Sequence, residues 1–425
     1  MKIKSKKRGI AFCVCAISLA CALGGIFRAR TKNIVLELGM FAGSNWGVSN
    51  GDSYHTVDRA IAIFEHSHPG VRVHYFSGIR KNDYDEWLSQ QILLGKTPDV
   101  FFVPDSHFTQ FAEQGILKNL TGTVESDSDI KSWEYFPSAW NSAFLGGKQY
   151  ALPYQADFML MAVNLTLLNR RGLELPEQSW TWNDFYALAK ETGMSGYSWQ
   201  DAVFSNGVSL FNDDGSKAHF SDSRTVDAIR FVQKLSALPS ERRYTADDFD
   251  SGRIAFMPMS YAQFCTYVSY PYKVYKDFNY EWGCLPMPAG ISGGNVSRVS
   301  TLLIGIYAKT RYQKLSYELL KTLTHNIRVQ TDIYSMAQGA SPLRIISASK
   351  STRAVIDSYT RSGKEYNLSL VSEILDKGTV VPKFARYTQA MQAADSAITK
   401  IIDEKNDADT SLKVLQQNVQ NILAK

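Results

Sequence analysis

Cysteine is scarce in this chain of 425 residues: there are five, and three of them (Cys13, Cys15, Cys21) fall within the first 21 positions. That leaves Cys265 and Cys284, which excludes a fold held together by a disulfide framework. A single bridge between the two is compatible with an oxidising compartment, but a chain this long can bury cores that need no covalent staple, so two buried thiols are expected. Excess charge is missing as well. The formal net charge of +5 comes from five basic residues between Lys2 and Arg8, and without them 41 basic residues face 41 acidic ones. A neutral body is a poor polyanion binder, so nucleic acid is excluded as the partner.

Catalytic signatures are also lacking. There is no H-E-x-x-H, no phosphate-binding P-loop and no G-x-G-x-x-G, so no cofactor or metal is expected. Gly290-Ile291-Ser292-Gly293-Gly294 matches G-x-S-x-G, but it follows a proline-broken strand and precedes another strand, whereas a hydrolase elbow joins a strand to a helix. His66-Ser67-His68 has no third ligand at motif spacing and reads as a solvated helix end. Asn212-Asp213-Asp214-Gly215 hints at a calcium loop. No Glu stands at loop position 12, so a plain hairpin turn is favoured. A pair of glycosidase carboxylates assembled in space would leave no trace in the sequence.

What the chain does have begins with a targeting segment at residues 1–33. A basic start precedes 19 uncharged residues from Gly9 to Phe27, and Arg28, Arg30 and Lys32 follow. Ser18-Leu19-Ala20-Cys21 suggests a lipoprotein site at which Cys21 is lipidated. Ala20-Cys21-Ala22 also suits ordinary cleavage, and the run is just long enough to stay as an anchor. Each route places the body outside the cytoplasm.

The body reads strand, helix, strand, helix, strand from Ile34 to Val103, the pattern of a parallel α/β sheet. Ile34 to Phe41 forms the first strand, and Val57, Ile61 and Phe64 mark a helix that His68-Pro69-Gly70 ends. Val100 to Val103 is a buried strand, with Pro104-Asp105-Ser106 at the start of the next helix. Length predicts more than one compact unit. Gly146-Gly147-Lys148-Gln149-Tyr150-Ala151-Leu152-Pro153-Tyr154 is a glycine turn, a short strand and a proline stop. An apolar run from Phe158 to Val163 follows, and the two strands suit a crossing between lobes. Helix Thr225 to Leu238 leads to Phe249–Met257 and a loop, Pro258 to Gln263. Strands are expected at Glu281–Met287 and Thr301–Ile306, and helices over the last 80 residues.

Several of these stretches resemble, in order, the extracellular solute-binding proteins of family 1, the substrate-capturing subunits of ABC importers. Tyr150-Ala151-Leu152-Pro153 resembles the family's Y-x-x-P crossover. Pro98-Asp99-Val100 with Gly115-Ile116-Leu117 is similar to its P-D-V and G-I-L pair. Ser179-Trp180-Thr181-Trp182-Asn183-Asp184-Phe185 resembles T-W-x-E, Phe249–Met257 resembles F-x-x-G-x-x-A-M, and Gly339–Arg344 resembles G-x-x-P-x-R. The resemblance implies an α/β, two-lobed type-II periplasmic-binding fold, each lobe a mainly parallel sheet flanked by helices, with a strand hinge. Lobe I would comprise 34–151 plus about 298–345, and lobe II 152–297 plus about 346–425.

The implied function is capture of a carbohydrate, an oligosaccharide, by lobe closure, with delivery to an ABC permease and no reaction catalysed. The implied protein is a monomer on the outer face of a bacterial membrane. Alternatives are a secreted glycan hydrolase, or a binder of another solute such as glycerol phosphate or a polyamine. In open α/β sheets ligands sit beyond the carboxyl ends of strands. The loops there carry Trp46, Asp105, Ser106, Tyr154, Gln155, Asp157, Trp199, Gln200, Tyr261 and Gln263. Aromatic faces stack on the C–H faces of sugars, while carboxylates and amides bind hydroxyl pairs. Trp46 and Tyr261 are expected on opposite walls of one cleft. Trp133, Trp140, Trp180 and Trp182 are expected in the core or at helix N-termini.

Overall fold

The computed structural model describes residues 34–49, 52–239, 243–268, 280–335, 339–359 and 368–424. Cys21 and the targeting segment lie outside these residues. Strand β1 (Ile34–Gly39) buries Leu36 and Leu38, with Val35 exposed and Glu37 half-buried on the opposite face. It pairs in parallel with β2 (Val71–Tyr75) and with β3 (Val100–Val103), whose four residues are all buried. Helix α1 (Ser53–Ser67) connects β1 to β2. The Asp52 carboxylate caps it by accepting from Tyr54 N–H, and Val57, Ala60 and Phe64 form its buried stripe. Helix α2 (Lys81–Leu93) connects β2 to β3 and packs through Tyr84 and Leu88.

The crossing expected near Pro153 is one strand rather than two joined at a corner. Strand β4 runs from Ala151 to Asn164, and only Met159 along it is not buried. Its first half, Ala151 to Phe158, pairs antiparallel with a later strand over Val299–Phe158 to Gly305–Ala151, and a bulge between Pro153 and Gln155 takes up the proline. Its second half pairs antiparallel with β5 (Phe256–Ser260) and β6 (Trp282–Leu285), which flank it. The later strand is β7 (Val299–Ile306), which also runs antiparallel to β3. The order is therefore β2-β1-β3-β7-β4-β5, with β6 on the other side of β4. Along β4, Leu160 and Ala162 face one core while Met161 and Val163 face another. Burial on both faces is why this strand reads as a continuous apolar run.

The first core gathers around Phe101, Phe102 and Ile304, and continues through Phe158 to Tyr261 and Trp282. The second gathers around Trp182, Phe231 and Phe256. Helix α3 (Phe108–Glu113) lies over the first core. Helices α4 (Trp182–Thr192) and α5 (Ser223–Ser236) cover the second, where the Trp182 and Phe231 rings stack at 4.4 Å. Asn212 to Lys217 forms the expected hairpin turn, with Gly215 at φ 70° and Asn212 N–H donating to Lys217 O at 3.0 Å.

The helices Arg344–Ser347 and Leu368–Lys377 pack on the first core through Ile346, Leu370 and Ile374, and Ser138 Oγ donates to the Leu375 carbonyl at 2.6 Å. The residues from Phe384 onward pack in the second core instead. Between the two the chain crosses a third time: Val299 N–H donates to Thr379 O and Thr379 N–H to Ser297 O. Beyond it, α6 (Tyr387–Asp403) and α7 (Ala408–Leu423) pack into the second core through Ile398 and Leu412. Trp180 and Trp182 are buried, and Trp133, 71% exposed, lies at the start of the short helix Ser132–Glu134.

Candidate functional site

The three crossing segments meet at Gln155–Asp157 of β4, the start of β7, and Thr379. Ala156 exchanges both backbone hydrogen bonds with Ala340, at 2.8 and 2.7 Å. Next to it Gly339 takes φ 94°, and a methyl group there would lie 2.5 Å from the Ala156 carbonyl and 2.9 Å from Trp46 Nε1. Glycine is therefore required, and the half-buried Trp46 indole sits at the crossing itself.

Asp157 is buried one residue further along. Its carboxylate accepts from Ala262 N–H at 2.9 Å, at the N-terminal end of the helix Tyr261–Val268. Burial pushes its pKa up to about 6, against the lowering effect of that hydrogen bond and of the Arg298 charge. Arg298 is exposed at the head of β7, bridged to Thr379. Its charge also favours the ionised forms of Asp201 and Tyr387.

Beside the crossing, a cavity of about 410 Å³ opens between the two cores. Asp105, Ser106, Gln110 and Glu113 line the wall formed by the turn after β3 and by α3; Lys383 and Tyr387 line the facing wall. Lys383 Nζ lies 2.8 Å from Asp105 Oδ1 and 4.3 Å above the Phe108 ring. Ser106 Oγ donates to Asp85 Oδ2 at 2.9 Å, and the His107 hydrogen bond, with that of Ser106, holds the Asp85 carboxyl below its usual range despite burial. Burial pushes the Tyr387 phenol up to about 12; Asp105 adds to the rise and Arg298 opposes it. One wall thus presents carboxylates, an amide and hydroxyls, and the other an aromatic ring and cations.

The residues expected from the sequence fall into groups. Asp105 and Ser106 line the cavity, while Trp46, Gln155 and Asp157 meet at the crossing. Tyr261 was expected on a loop. Instead β5 extends through Ser260, because a proline is tolerated at the outer strand, and Tyr261 opens the following helix. Its ring is 1% exposed and stacks 4.9 Å from Phe158, so it lies beneath the crossing. Tyr154 is fully buried with its ring 5.4 Å from Phe102, and burial raises its pKa. Trp199 Nε1 and Gln200 Nε2 both donate to Asp395 Oδ1, at 2.9 and 3.1 Å, which fastens the helix Trp199–Ser205 to α6. Exposed Gln263 accepts from Ser260 N–H at 2.9 Å. Arg298, Lys383 and Tyr387 were missed. The only local signal for the last two was Pro382, which separates two helical stretches.

The G-x-S-x-G stretch makes no elbow. It is a loop pressed against Ser205 and Asn206, where Ser292 N–H donates to Asn206 Oδ1 at 2.9 Å and no side chain fits at Gly290 or Gly293. It borders a second cavity, of about 390 Å³, beside Trp182 and Phe231. Among the described residues no group of three His, Cys, Asp or Glu is placed to hold a metal ion. No helix among them is long and apolar enough to cross a membrane.

Residues 49–326 match a family model described as bacterial extracellular solute-binding protein. Solved structures share the fold at low identity. The ABC substrate-binding protein of Listeria monocytogenes in complex with cycloalternan is 20% identical with a TM-score of 0.71, over 92% of this chain and 99% of that one. The cyclic alpha-maltosyl-1,6-maltose binding protein of Arthrobacter globiformis is 16% identical with a TM-score of 0.76, over 92% and 99%. The sugar-binding protein MalE of Xanthomonas citri is 17% identical with a TM-score of 0.75, over 92% and 97%.

Proposed function

Because the chain belongs to the bacterial extracellular solute-binding protein family, we propose that it captures a carbohydrate, an oligosaccharide, between its two lobes and delivers it to an ABC permease. The cavity beside the crossing carries this reading. Its volume of about 410 Å³ suits a small ligand, and its walls offer the groups a sugar needs. Asp105 and Gln110 provide acceptors and donors for hydroxyl pairs, and Tyr387 provides a face for the apolar side of a ring. Trp46 and Asp157 lie at the crossing itself. The sugars named for the similar structures, cycloalternan and cyclic maltosyl-maltose, point the same way.

Capture is a rigid-body closure about β4, β7 and the chain at Thr379, with no bond made or broken. Lobe I is residues 34–151, 298–345 and the segment to 377; lobe II is 152–297 and 378–425. A binding role is favoured over glycan hydrolysis because the family is one of solute-binding proteins and the cavity carboxylate Asp105 is engaged with Lys383. The protein acts as a monomer held to the outer face of the membrane through lipidated Cys21.

A thermal-shift screen of the mature protein tests the ligand class, with linear and cyclic glucans, other oligosaccharides, glycerol phosphates and polyamines as probes. A ligand at a hundredfold excess over its Kd stabilises by about 2.7 kcal/mol, a rise of several degrees in Tm. The expected result is a rise with an oligosaccharide that is recovered uncleaved. A rise confined to phosphates or polyamines overturns the sugar reading, and steady release of cleaved sugar overturns the binding role.

A further inference from the structure

Lys383 joins the two cores through its side chain. The next residue, Phe384, is buried in the second core, 5.1 Å from the Phe211 ring, and its ring lies so close over Gly215 that no side chain fits there. Lys383 is thereby fixed to the second core's side of the cavity. Its ammonium nevertheless reaches the opposite wall, 2.8 Å from Asp105 Oδ1 and 4.3 Å from the centre of the Phe108 ring, which is fully buried in the first core. The Lys383 side chain is 11% exposed, and that of Asp105 is 70% exposed. A lysine stem laid along an aromatic face, with its charge on a carboxylate across a cavity, is a contact that lobe opening must break.

We propose that Lys383 is an interlobe latch. Its pair with Asp105 and its seat over Phe108 hold the cavity walls together without ligand, and so set how often the ligand-free protein opens to admit one. The latch rests on the cavity being the ligand cleft. Its test needs no ligand, so the two readings fail separately. Lys383→Met keeps the stem over Phe108 and removes the charge, and Asp105→Asn removes the partner.

The test places spin labels on Lys96→Cys in the first lobe and Lys217→Cys in the second, both exposed positions, and measures the distance distribution by pulsed electron resonance in the ligand-free mature protein. Each single variant should raise the population at the longer distance roughly two- to fivefold, the range expected of a partly exposed pair. The double variant should go no further than either single, the exchanged pair Asp105→Lys with Lys383→Asp should restore the original distribution, and 1 M salt should mimic the variants in wild type. Circular dichroism confirms folding, and Lys383→Arg, which keeps the charge, should behave as wild type. Superimposable distributions in all variants, or additive effects of the two single changes, overturn the latch.

Discussion

Replacing Asp157 by Asn should change the pH dependence of stability in a direction the burial of this carboxyl dictates. Asp157 has a folded-state pKa of about 6 against 3.8 for an unperturbed carboxyl, and burial is the largest cause. Between pH 4 and 6 the folded protein holds a proton there that the unfolded chain has released. Stability from this group is therefore full below pH 4, falls as the pH rises through the window, and is level above about 6. A gap of about two units, at about 1.36 kcal/mol each, makes the loss about 3 kcal/mol. Asparagine keeps an oxygen to accept from Ala262 N–H but carries no charge to desolvate. The unfolding free energy of Asp157→Asn relative to wild type should thus rise by about 3 kcal/mol from pH 4 to 7. Buried Asp201, whose pKa is raised by the same cause, acts equally in both proteins and cancels in the difference. The assay is urea denaturation at pH 4, 5, 6 and 7, with fluorescence and circular-dichroism transitions required to coincide before a two-state fit. Parallel pH profiles for the two proteins, or a variant that loses ground toward pH 7, would refute the reasoning.

Other expectations follow from the packing. Tyr261→Ala empties a space between Phe158 and Phe264 in the first core and should cost about 3–5 kcal/mol of stability, read as a collapse of the melting curve. Gly339→Ala forces a methyl group onto the Ala156 carbonyl at a positive φ; it should cost about 1–3 kcal/mol and, by displacing Trp46, weaken ligand binding in calorimetry. Burial pushes both the Cys265 and Cys284 thiols far up, but Cys284 is only half-buried where two buried thiols were expected. Buried Cys265 should not react with a thiol reagent in the native protein, Cys284 should react slowly and both fast on unfolding, and fast native labelling of Cys265 would contradict this. Cys21→Ala should abolish fatty-acid labelling of the chain in cells, and an unlabelled wild type would exclude the lipid anchor.

The parts of the fold legible in the sequence were those set by local pattern. The parallel strands and helices up to Val103, the hairpin turn at Gly215 and the helical C-terminal region each follow from spacing, capping residues or glycine. The crossing near Pro153 was legible as a place, but its continuity was not, because a bulge within a strand looks like a corner in one dimension. Site residues were harder. Asp105 and Ser106 follow a buried strand and could be placed at its carboxyl end. Tyr261 was misplaced because an outer strand tolerates Pro258, which in sequence reads as the start of a loop. Lys383 and Tyr387 enter the cavity only because the chain crosses a third time, and nothing within a few residues of them encodes that return. Arg298 gains its place from the meeting of β7 with Thr379, which lie some 80 residues apart.

The central claim is that the two lobes close on a carbohydrate without altering it. Small-angle scattering of the mature protein, with and without a saturating oligosaccharide taken from the thermal-shift screen, tests this most directly when the sugar is recovered and weighed by mass spectrometry. A smaller radius of gyration with ligand and an unchanged ligand mass is the predicted result. An unchanged radius at saturation, or a ligand returned in pieces, would contradict the account.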